Sequence, residues 1–297
     1  MTEHRSNRLI VAVDGSAASD AAIRWATAEA AMRNVPMTLL HVMEPGLPVW
    51  GLGYSMAPLP YDYGELQEEE GQRVLTAAKD VAESAMPPGR QVTVESELTS
   101  AVPVPTLIDA TKDAEMIVVG SRGQGPWRRA LLGSVSTALV QHAHCPVAVI
   151  HDAADATTPV AGPVVVGVDG SPASERALAI AFDEASWRGV DLVALHAWID
   201  SDTSAVPHSA WPDFQSAAEE TLAERLAGWS DRYPDVRVHR EVVFNKPASH
   251  LLKAAESAQL VVLGSHGRGG FAGMLLGSVS NSVVHAVQTP TIVARTS

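Results

Sequence analysis

The feature that most limits the fold of this chain is an internal duplication. The sequence VAVDGS at Val11–Ser16 returns as VGVDGS at Val166–Ser171, an offset of 155 residues. Further along, the sequence GSVS at Gly133–Ser136 returns at Gly277–Ser280, an offset of 144 residues. So long a period excludes a solenoid of short repeats and predicts two domains that share one fold.

The offset shortens because one loop differs in length between the copies. A Pro/Gly/Tyr-rich segment, Glu44–Gly64, occupies the place of a shorter segment, Asp200–Asp213, in the second copy. Between the copies, the small, polar, Pro-containing stretch Asp152–Gly162 predicts a linker. We therefore expect one domain at residues 1–152 and the other at residues 160–297.

Within each copy, short apolar segments alternate with stretches of helical periodicity. Ser16 and Ser171 stand where a helix N-cap or a turn residue is expected, and a later helix is predicted at Phe214–Trp229. Almost continuously apolar strands that alternate with helices predict a parallel sheet covered on both faces. The predicted fold is therefore α/β, with two tandem, doubly wound, Rossmann-like sheets of five parallel strands in the order 3-2-1-4-5.

In such a sheet, ligands bind beyond the carboxyl ends of the strands, where the winding direction switches. Here the switch falls between the first and fourth strands of each copy. Asp14 and the loop from Gly120 reach that point in the first copy, and Asp169 and the loop from Gly264 reach it in the second. The predicted fold and the residue types therefore indicate the same ligand-binding position in each copy.

Both loops have the pattern G-x2-G-x9-G-S, at residues 120–134 and 264–278. Glycines allow backbone N–H groups to approach an anion, and the final Gly-Ser opens a helix whose free N–H groups favour phosphate. The pattern is neither a Walker A loop, because Gly-Lys-Ser/Thr is absent, nor a dinucleotide fingerprint, because it follows the fourth strand. Candidate hydroxyl donors and cations are Ser134, Ser136, Ser278, Ser280, Arg122, Arg128, Arg129 and Arg268.

Composition narrows the choice of partners. The chain of 297 residues is 46% hydrophobic and 19% charged, with a formal net charge of −13. This acidic balance argues against nucleic acid or an anionic membrane as the main partner, although a local backbone pocket can still bind phosphate. A single cysteine, Cys145, excludes an intramolecular disulfide, and neither a signal peptide nor a membrane span is evident. We expect a cytoplasmic protein.

The repeated loop resembles that of the ATP-binding branch of the universal stress protein family, and the duplication resembles the tandem two-domain members of mycobacteria. The resemblance covers nearly the whole chain apart from the N-terminal tail, the linker and the variable loop. It implies five parallel strands and one adenine nucleotide, ATP with or without Mg²⁺, in each domain.

The resemblance also assigns residues. It places the first-strand aspartate beside the ribose and adenine, the residue two positions earlier beneath the nucleotide, and the backbone at the end of the second strand against adenine. The phosphates would lie on the glycine loop and the following helix start. In the first copy these positions are Ala12, Asp14, Val42, Gly120, Ser121, Arg122, Gly123, Gln124, Gly133, Ser134, Val135 and Ser136. In the second they are Gly167, Asp169, Ala197, Gly264, Ser265, His266, Gly267, Arg268, Gly277, Ser278, Val279 and Ser280.

Alternative roles exist for several of these residues. Asp-Gly-Ser is also a common turn sequence, and a histidine at a strand end, such as His41 or His196, is more often structural than catalytic. His142, His144 and Cys145 are residue types that bind metals, but the equivalent stretch His285–Thr289 does not preserve them. We therefore expect no metal ligand set and no catalytic residues.

The function expected from these observations is an ATP-binding regulatory or sensor module acting in stress or growth regulation. Apolar last strands at sheet edges, together with the resemblance, predict that the two domains pair pseudo-symmetrically and that the chain forms a homodimer. An unknown regulatory protein is the expected partner. A slow ATPase, an adenylyl or phosphoryl transferase, and a binder of AMP or a cyclic nucleotide remain alternatives for the same pocket.

Two expectations concern the loops individually. Replacing Gly120 or Gly264 by Asp is expected to abolish binding, because a carboxylate would fill backbone space and repel phosphate. Arg122 in the first loop corresponds to His266 in the second, so binding at the second site is expected to tighten more as the pH falls.

Overall fold

The structure is a computed structural model that describes residues 7–45, 63–123, 132–151, 162–198, 211–268 and 275–295. Most of the linker, most of the variable loop in each copy and the middle of each glycine-rich loop lie outside these residues. Gln124, Arg128 and Arg129 are among the positions not covered.

The two halves contain the same alternation of strands and helices. The first half has β1 (Leu9–Ala12), α1 (Ala17–Arg33), β2 (Met37–Met43), α2 (Tyr63–Ser84), β3 (Val94–Ser100), α3 (Pro103–Ala110), β4 (Met116–Gly120), α4 (Ser134–His142) and β5 (Val147–Ile150). The second half has β6 (Val164–Gly167), α5 (Pro172–Arg188), β7 (Leu192–Ala197), α6 (Trp211–Leu226), α7 (Trp229–Arg232), β8 (Val238–Val243), α8 (Pro247–Ala255), β9 (Leu260–Gly264), α9 (Ser278–Ala286) and β10 (Thr291–Ala294). Among the described residues, no helix has the length and apolarity needed to cross a bilayer.

Within the described part of the chain, ten strands form one sheet in the order β3-β2-β1-β4-β5-β10-β9-β6-β7-β8. Each half has the predicted order, and the strand pairs inside each half are parallel. The central strands are almost wholly buried, as continuous apolar segments require, whereas the outermost strands β3 and β8 carry exposed polar residues. The doubly wound α/β fold is therefore confirmed.

The two halves join through their last strands. β5 and β10 pair antiparallel, with Thr291 opposite Val149 and Val293 opposite Val147. All residues of both strands are buried, so each strand covers an apolar edge that the other half would otherwise leave open. The expected pseudo-symmetric association of the halves is confirmed, and it joins the two five-stranded units into one continuous sheet.

The helix predicted at Phe214–Trp229 is interrupted. α6 ends at Leu226, and a separate short helix, α7, begins at Trp229 after Gly228, whose φ of 81° lies in the left-handed region. This break brings the Trp229 ring onto the buried Phe182 ring, with 5.4 Å between the ring centroids. Stacking of these two rings outweighs the helical periodicity of the local sequence.

Two buried glutamates and two partly buried arginines meet between α1 and α5, and we call them the interface charge cluster: Glu29, Arg33, Glu184 and Arg188. Inside each helix the arginine pairs with the glutamate four residues earlier, at 2.5 Å for Arg33 and 3.0 Å for Arg188. Across the halves, Arg188 binds Glu29 at 2.5 Å and Arg33 binds Glu184. Both carboxylates are 0% exposed, so their pairing depends on the two halves staying together.

Burial, followed by repulsion from the Glu184 carboxylate, raises the pKa of Glu29 to about 8. Burial also opposes ionisation of Glu184, but attraction to Arg188 and Arg33 outweighs it and lowers the pKa of Glu184. The environment therefore favours the protonated form of Glu29 and the ionised form of Glu184.

A second contact between the halves involves Arg295, which follows β10. Its guanidinium donates hydrogen bonds to the carbonyl oxygens of Val140 at 2.9 Å and Ala143 at 3.0 Å, at the C-terminal end of α4. It also donates to the carbonyl oxygen of Leu275 at 3.1 Å, in the glycine-rich loop of the second half. One side chain thus satisfies helix-terminal carbonyls of one half and fixes a loop of the other.

We expect the melting temperature of the chain to fall as the pH rises from about 5 to 8, and Glu29→Gln to reduce that fall. The raised pKa of Glu29 means that protonation stabilises the folded state, and this contribution is lost as the pH rises through about 8. One proton accounts for at most about 1.4 kcal/mol per pH unit.

Thermal denaturation across this pH range measures the effect. Glu70→Gln is the matched control, because Glu70 is 60% exposed in its pair with Arg73. Equal pH slopes for the wild-type chain and Glu29→Gln would contradict the prediction.

Candidate functional site

Two equivalent sites lie at the carboxyl ends of adjacent strands. In site one, Asp14 follows β1, and the glycine-rich loop follows its neighbour β4. In site two, Asp169 follows β6, and the corresponding loop follows its neighbour β9. The structure therefore brings the predicted aspartate and loop together in each half, at the switch in winding direction.

Each aspartate begins a tight turn into a helix. The Asp169 Oδ1 atom accepts a hydrogen bond from the Ser171 N–H at 2.9 Å, and Asp14 makes the same bond to Ser16 at 3.0 Å. Both turns pass through a glycine with φ near 75°, which a residue with a side chain rarely adopts. Ser16 and Ser171 then cap α1 and α5 through their hydroxyl oxygens.

The aspartate also holds the glycine-rich loop. Asp169 Oδ2 accepts a hydrogen bond from the Arg268 N–H at 3.1 Å, and the Ser171 hydroxyl donates to the His266 carbonyl oxygen at 3.0 Å. A side chain at Gly267 would collide with the Asp169 carboxylate, and one at Gly123 would collide with that of Asp14. Asp169 therefore joins the turn, through Oδ1, to the glycine-rich loop, through Oδ2.

The loop closes onto the start of the next helix in the same way at both sites. The Gly133 N–H donates to the Ser121 carbonyl oxygen at 2.7 Å, and the Gly277 N–H donates to that of Ser265 at 2.8 Å. Gly133 and Gly277 are N-caps without a side chain, so the first-turn N–H groups of α4 and α9 lack a side-chain cap. Exposed Ser134 and Ser278 are the first residues of these helices.

Several predicted site residues support the site from behind. Ser121 and Ser265 are buried beneath the loops. The hydroxyls of Ser136 and Ser280 donate to the carbonyl oxygens of Gly120 and Gly264 at 2.7 and 2.6 Å, so their protons are used inside the protein. Of the four predicted hydroxyl donors, Ser134 and Ser278 are the two whose side chains reach solvent.

Gly120 and Gly264 have a different role from the one the sequence suggested. A Cβ atom at Gly120 would lie 2.7 Å from the Ala18 backbone of α1, and one at Gly264 would lie 2.8 Å from the Ala173 backbone of α5. These glycines allow a helix to pack closely on the sheet. Replacing either glycine by Asp would therefore displace α1 or α5 whether or not phosphate binds there, so the loss of binding expected from this substitution would not by itself report on phosphate.

Site two encloses a cavity of about 290 Å³. Most of the residues predicted for this site line it: Gly167, Asp169, Ala197, Gly264, His266, Gly267, Gly277, Ser278, Val279 and Ser280. Its remaining wall is largely apolar, and sequence analysis missed it: Val168, Ser174, Leu195, Pro247, Leu251 and Leu263. Of these, Pro247 and Leu251 are four residues apart on α8, a spacing that places them on one helix face.

Site one has corresponding apolar positions, Leu40, Leu107 and Val119, all buried. Of the other predicted residues, Ala12 is the last residue of β1 and Val42 is the next-to-last residue of β2. Both are partly buried. Val135 lies in the first turn of α4, next to Ser134. Both halves thus combine an apolar base with a polar, amide-rich loop.

Charged and titratable groups at the two sites differ. Arg122 in site one has a buried Nε atom with no hydrogen-bond acceptor among the described residues. His266 lines the cavity of site two, with its Nδ1 atom 3.1 Å from the Ser265 hydroxyl oxygen. His41 and His196 instead bind the carbonyl oxygens of Val13 and Val168 at 2.6 and 2.7 Å, which is a structural contact behind each aspartate.

No group of three or more potential metal ligands is found in the described ranges. Cys145, which the sequence places beside His144, is buried.

Comparisons with known proteins agree with this architecture. A model of the universal stress protein family matches residues 6–151 and 161–295. The chain is 51% identical over 294 residues to universal stress protein Rv2005c of Mycobacterium tuberculosis, covering 99% of this chain and 98% of the relative. It is also 51% identical over 290 residues to universal stress protein Rv2623 of that organism, covering 97% and 96%.

A crystal structure of a universal stress protein from Archaeoglobus fulgidus shares the fold, with a TM-score of 0.69 and 24% identity over 98% of this chain and 99% of that one. The family model matches both halves, and the 51% identity extends over nearly the whole length of both relatives. These matches identify the family of this chain. It belongs to the universal stress protein family, with two copies of the family domain in tandem.

Proposed function

We propose that the chain is a regulatory module that binds one adenine nucleotide in each half, residues 1–152 and 160–297, and acts in stress or growth regulation. The observation that carries the proposal is the cavity of site two, where an apolar wall faces a glycine-rich loop and an uncapped helix start. An aromatic base fits the apolar wall, and phosphates fit the amides and hydroxyl at the helix start. ATP is the proposed ligand at both sites.

The residues would divide the ligand between them. Leu195, Leu251 and Leu263 would contact the base, while Gly267, Gly277 and Ser278 would face the phosphates. At site one, the loop beginning at Gly120 and the start of α4 at Ser134 would do the same. If Mg²⁺ accompanies the phosphates, the carboxylates of Asp14 and Asp169 would be its ligands from the protein, and the metal would neutralise phosphate charge.

Binding without rapid turnover is the favoured activity. Both carboxylate oxygens of Asp169 already accept backbone N–H groups, which suits a loop organiser better than a general base. The alternative is a slow ATPase or an adenylyl or phosphoryl transferase in the same pocket. Steady-state phosphate release by wild-type chain, Asp14→Asn and Asp169→Asn separates the two, since an enzyme would lose turnover in these variants.

Mass spectrometry of nucleotide released from denatured, purified protein tests the proposal most directly. Recovery of ATP supports the proposal. Recovery of AMP or a cyclic nucleotide would show instead that the pocket binds a nucleotide other than ATP. No nucleotide in the released fraction, together with no ATP binding by calorimetry, would contradict it.

We also propose a cytoplasmic location, which the single cysteine supports, and a regulatory protein partner of unknown identity.

The chain is further expected to form a homodimer. The apolar edges of β5 and β10 already pair within one chain, so a dimer would use another surface, such as the outer strand β3 or β8. Light scattering at micromolar concentration should give twice the mass of 31.3 kDa, and a monomer mass would contradict the expectation.

We predict that Ser278→Asp weakens nucleotide binding at site two about tenfold or more without destabilising the fold. A carboxylate in the first turn of α9 interacts favourably with the helix dipole but repels phosphate at the same N–H groups. Ser278→Asn, similar in size and uncharged, is the matched control, and Ser134→Asp tests site one. Calorimetry with ATP and thermal melts measure both effects, and full affinity in a folded Ser278→Asp protein would refute the assignment.

We predict that His266→Arg tightens ATP binding at site two. His266 lines the cavity, and a guanidinium group in its place would present a permanent positive charge to the negatively charged phosphates.

Ser134→Asp weakens binding at site one, so calorimetry with ATP in this background reports mainly on site two. Asp169 and Arg268, whose hydrogen bond holds the loop that carries His266, are present in both the parent protein and His266→Arg. Unchanged ATP affinity in His266→Arg would show that this side chain serves only the loop.

A further inference from the structure

Two arginines from different elements converge beside the turn at site two. Gly170 has no side chain, and the space that one would occupy is filled by guanidinium groups. Arg225 Cζ and Nε, from the last turn of α6, lie 2.9 Å from the position of an ideal Cβ on Gly170. Arg268 Nη2, from the glycine-rich loop, lies 2.9 Å from the same point. The two cations are therefore neighbours at Gly170, the residue that follows Asp169 of the cavity lining.

The acidic groups nearby do not neutralise both cations. Arg225 Nη1 lies 3.5 Å from Glu175 Oε1, and the two side chains are 43% and 39% exposed. A pair this long and this solvated is weak. The Asp169 carboxylate accepts a hydrogen bond from the backbone N–H of Arg268, not from its guanidinium group. Adjacent like charges repel each other, and a phosphate that bridges both guanidinium groups removes that repulsion while accepting several hydrogen bonds.

Position relative to the cavity suggests which phosphate would bind there. The apolar wall lies at Leu195 and Leu251, and the loop and helix start lie at Gly267 and Ser278. Arg225 reaches the site from α6, which contributes no residue to that lining. A ligand that fills the cavity and also touches Arg225 must therefore extend beyond the residues that line the cavity.

We propose that Arg225 and Arg268 form an anion subsite at the mouth of site two that holds the distal phosphates of a nucleoside polyphosphate. This inference rests on the proposed nucleotide function. Arg225 acts as a specificity residue, because a nucleoside monophosphate or a cyclic nucleotide has no phosphate that extends past the helix start. The planar, forked guanidinium suits this contact better than an ammonium group.

The subsite distinguishes site two from site one. The last turn of α6 carries Arg225, whereas the last turn of α2, the corresponding helix in the first half, has no basic residue. Arg268 corresponds by sequence to Gln124. Duplication has therefore produced two sites with the same backbone cradle and different cationic side chains at the mouth.

The experiment compares ATP, ADP and AMP by calorimetry in the Ser134→Asp background, which leaves site two open. Arg225→Gln should weaken ATP binding about tenfold, the equivalent of one charge-assisted hydrogen bond, and change AMP binding less than twofold. Arg225→Lys should fall between, because it keeps the charge and loses the fork. Arg232→Gln is the matched control, since Arg232 lies over the Trp229 and Tyr233 rings.

Equal losses for ATP and AMP in Arg225→Gln, or no loss for either, would overturn the subsite. Inorganic tripolyphosphate provides a probe that does not depend on the nucleotide function. Its binding to the parent protein and loss in Arg225→Gln and Arg268→Gln would support the subsite even if adenine nucleotides failed to bind. Failure of every nucleotide to bind the parent would count against the proposed function, whereas tripolyphosphate binding unaffected by either variant would count against the subsite.

Discussion

The antiparallel pairing of β5 with β10 is the contact on which the arrangement of the molecule depends. Each strand ends one parallel, five-stranded unit, and each is apolar and fully buried. Hydrogen bonds between them continue the sheet from one half into the other and relate the halves by a pseudo-twofold axis. That symmetry brings α1 against α5, so the two Glu-Arg pairs of these helices meet and are buried together.

The interface charge cluster therefore favours one particular arrangement of the two halves, and it is not simply a source of added stability. Burying two carboxylates is costly, and their partners are complete only when α1 and α5 face each other. The raised pKa of Glu29 also makes the stability of this interface dependent on pH. Arg295 adds a direct link from the end of α4 to the glycine-rich loop of site two. Packing between the halves therefore contributes to the geometry of a site inside one of them.

Glycines and one aspartate determine the backbone geometry of each candidate site. Gly170 permits the turn, Gly267 leaves room for the Asp169 carboxylate, and Gly264 lets α5 approach the sheet. Asp169 then ties the turn and the loop together. Because these contacts are made largely by the backbone, other side chains near the two sites can differ. His266 in the second half replaces Arg122 of the first half, and Arg225 is found only in the last turn of α6, not of α2.

The sequence alone determined the duplication, the parallel strand order in each half, the helix N-caps and the place where ligands would meet the sheet. Those properties follow from local chemistry and periodicity: Asp-Gly-Ser at a strand end, glycine spacing, and apolar segments of strand length. The same local signals misplaced the end of α6, where the Phe182–Trp229 stacking prevailed.

Only the tertiary structure decided what each side chain meets across the fold. It showed that Gly120 packs against Ala18, that the Ser136 hydroxyl is used inside the protein, and that Leu251 lines the second site. The 155-residue offset between Glu29 and Glu184 was visible in the sequence, yet nothing local indicated that they touch. Such contacts join residues far apart in the chain, and their distances are fixed by sheet pairing and helix packing, which local sequence does not encode.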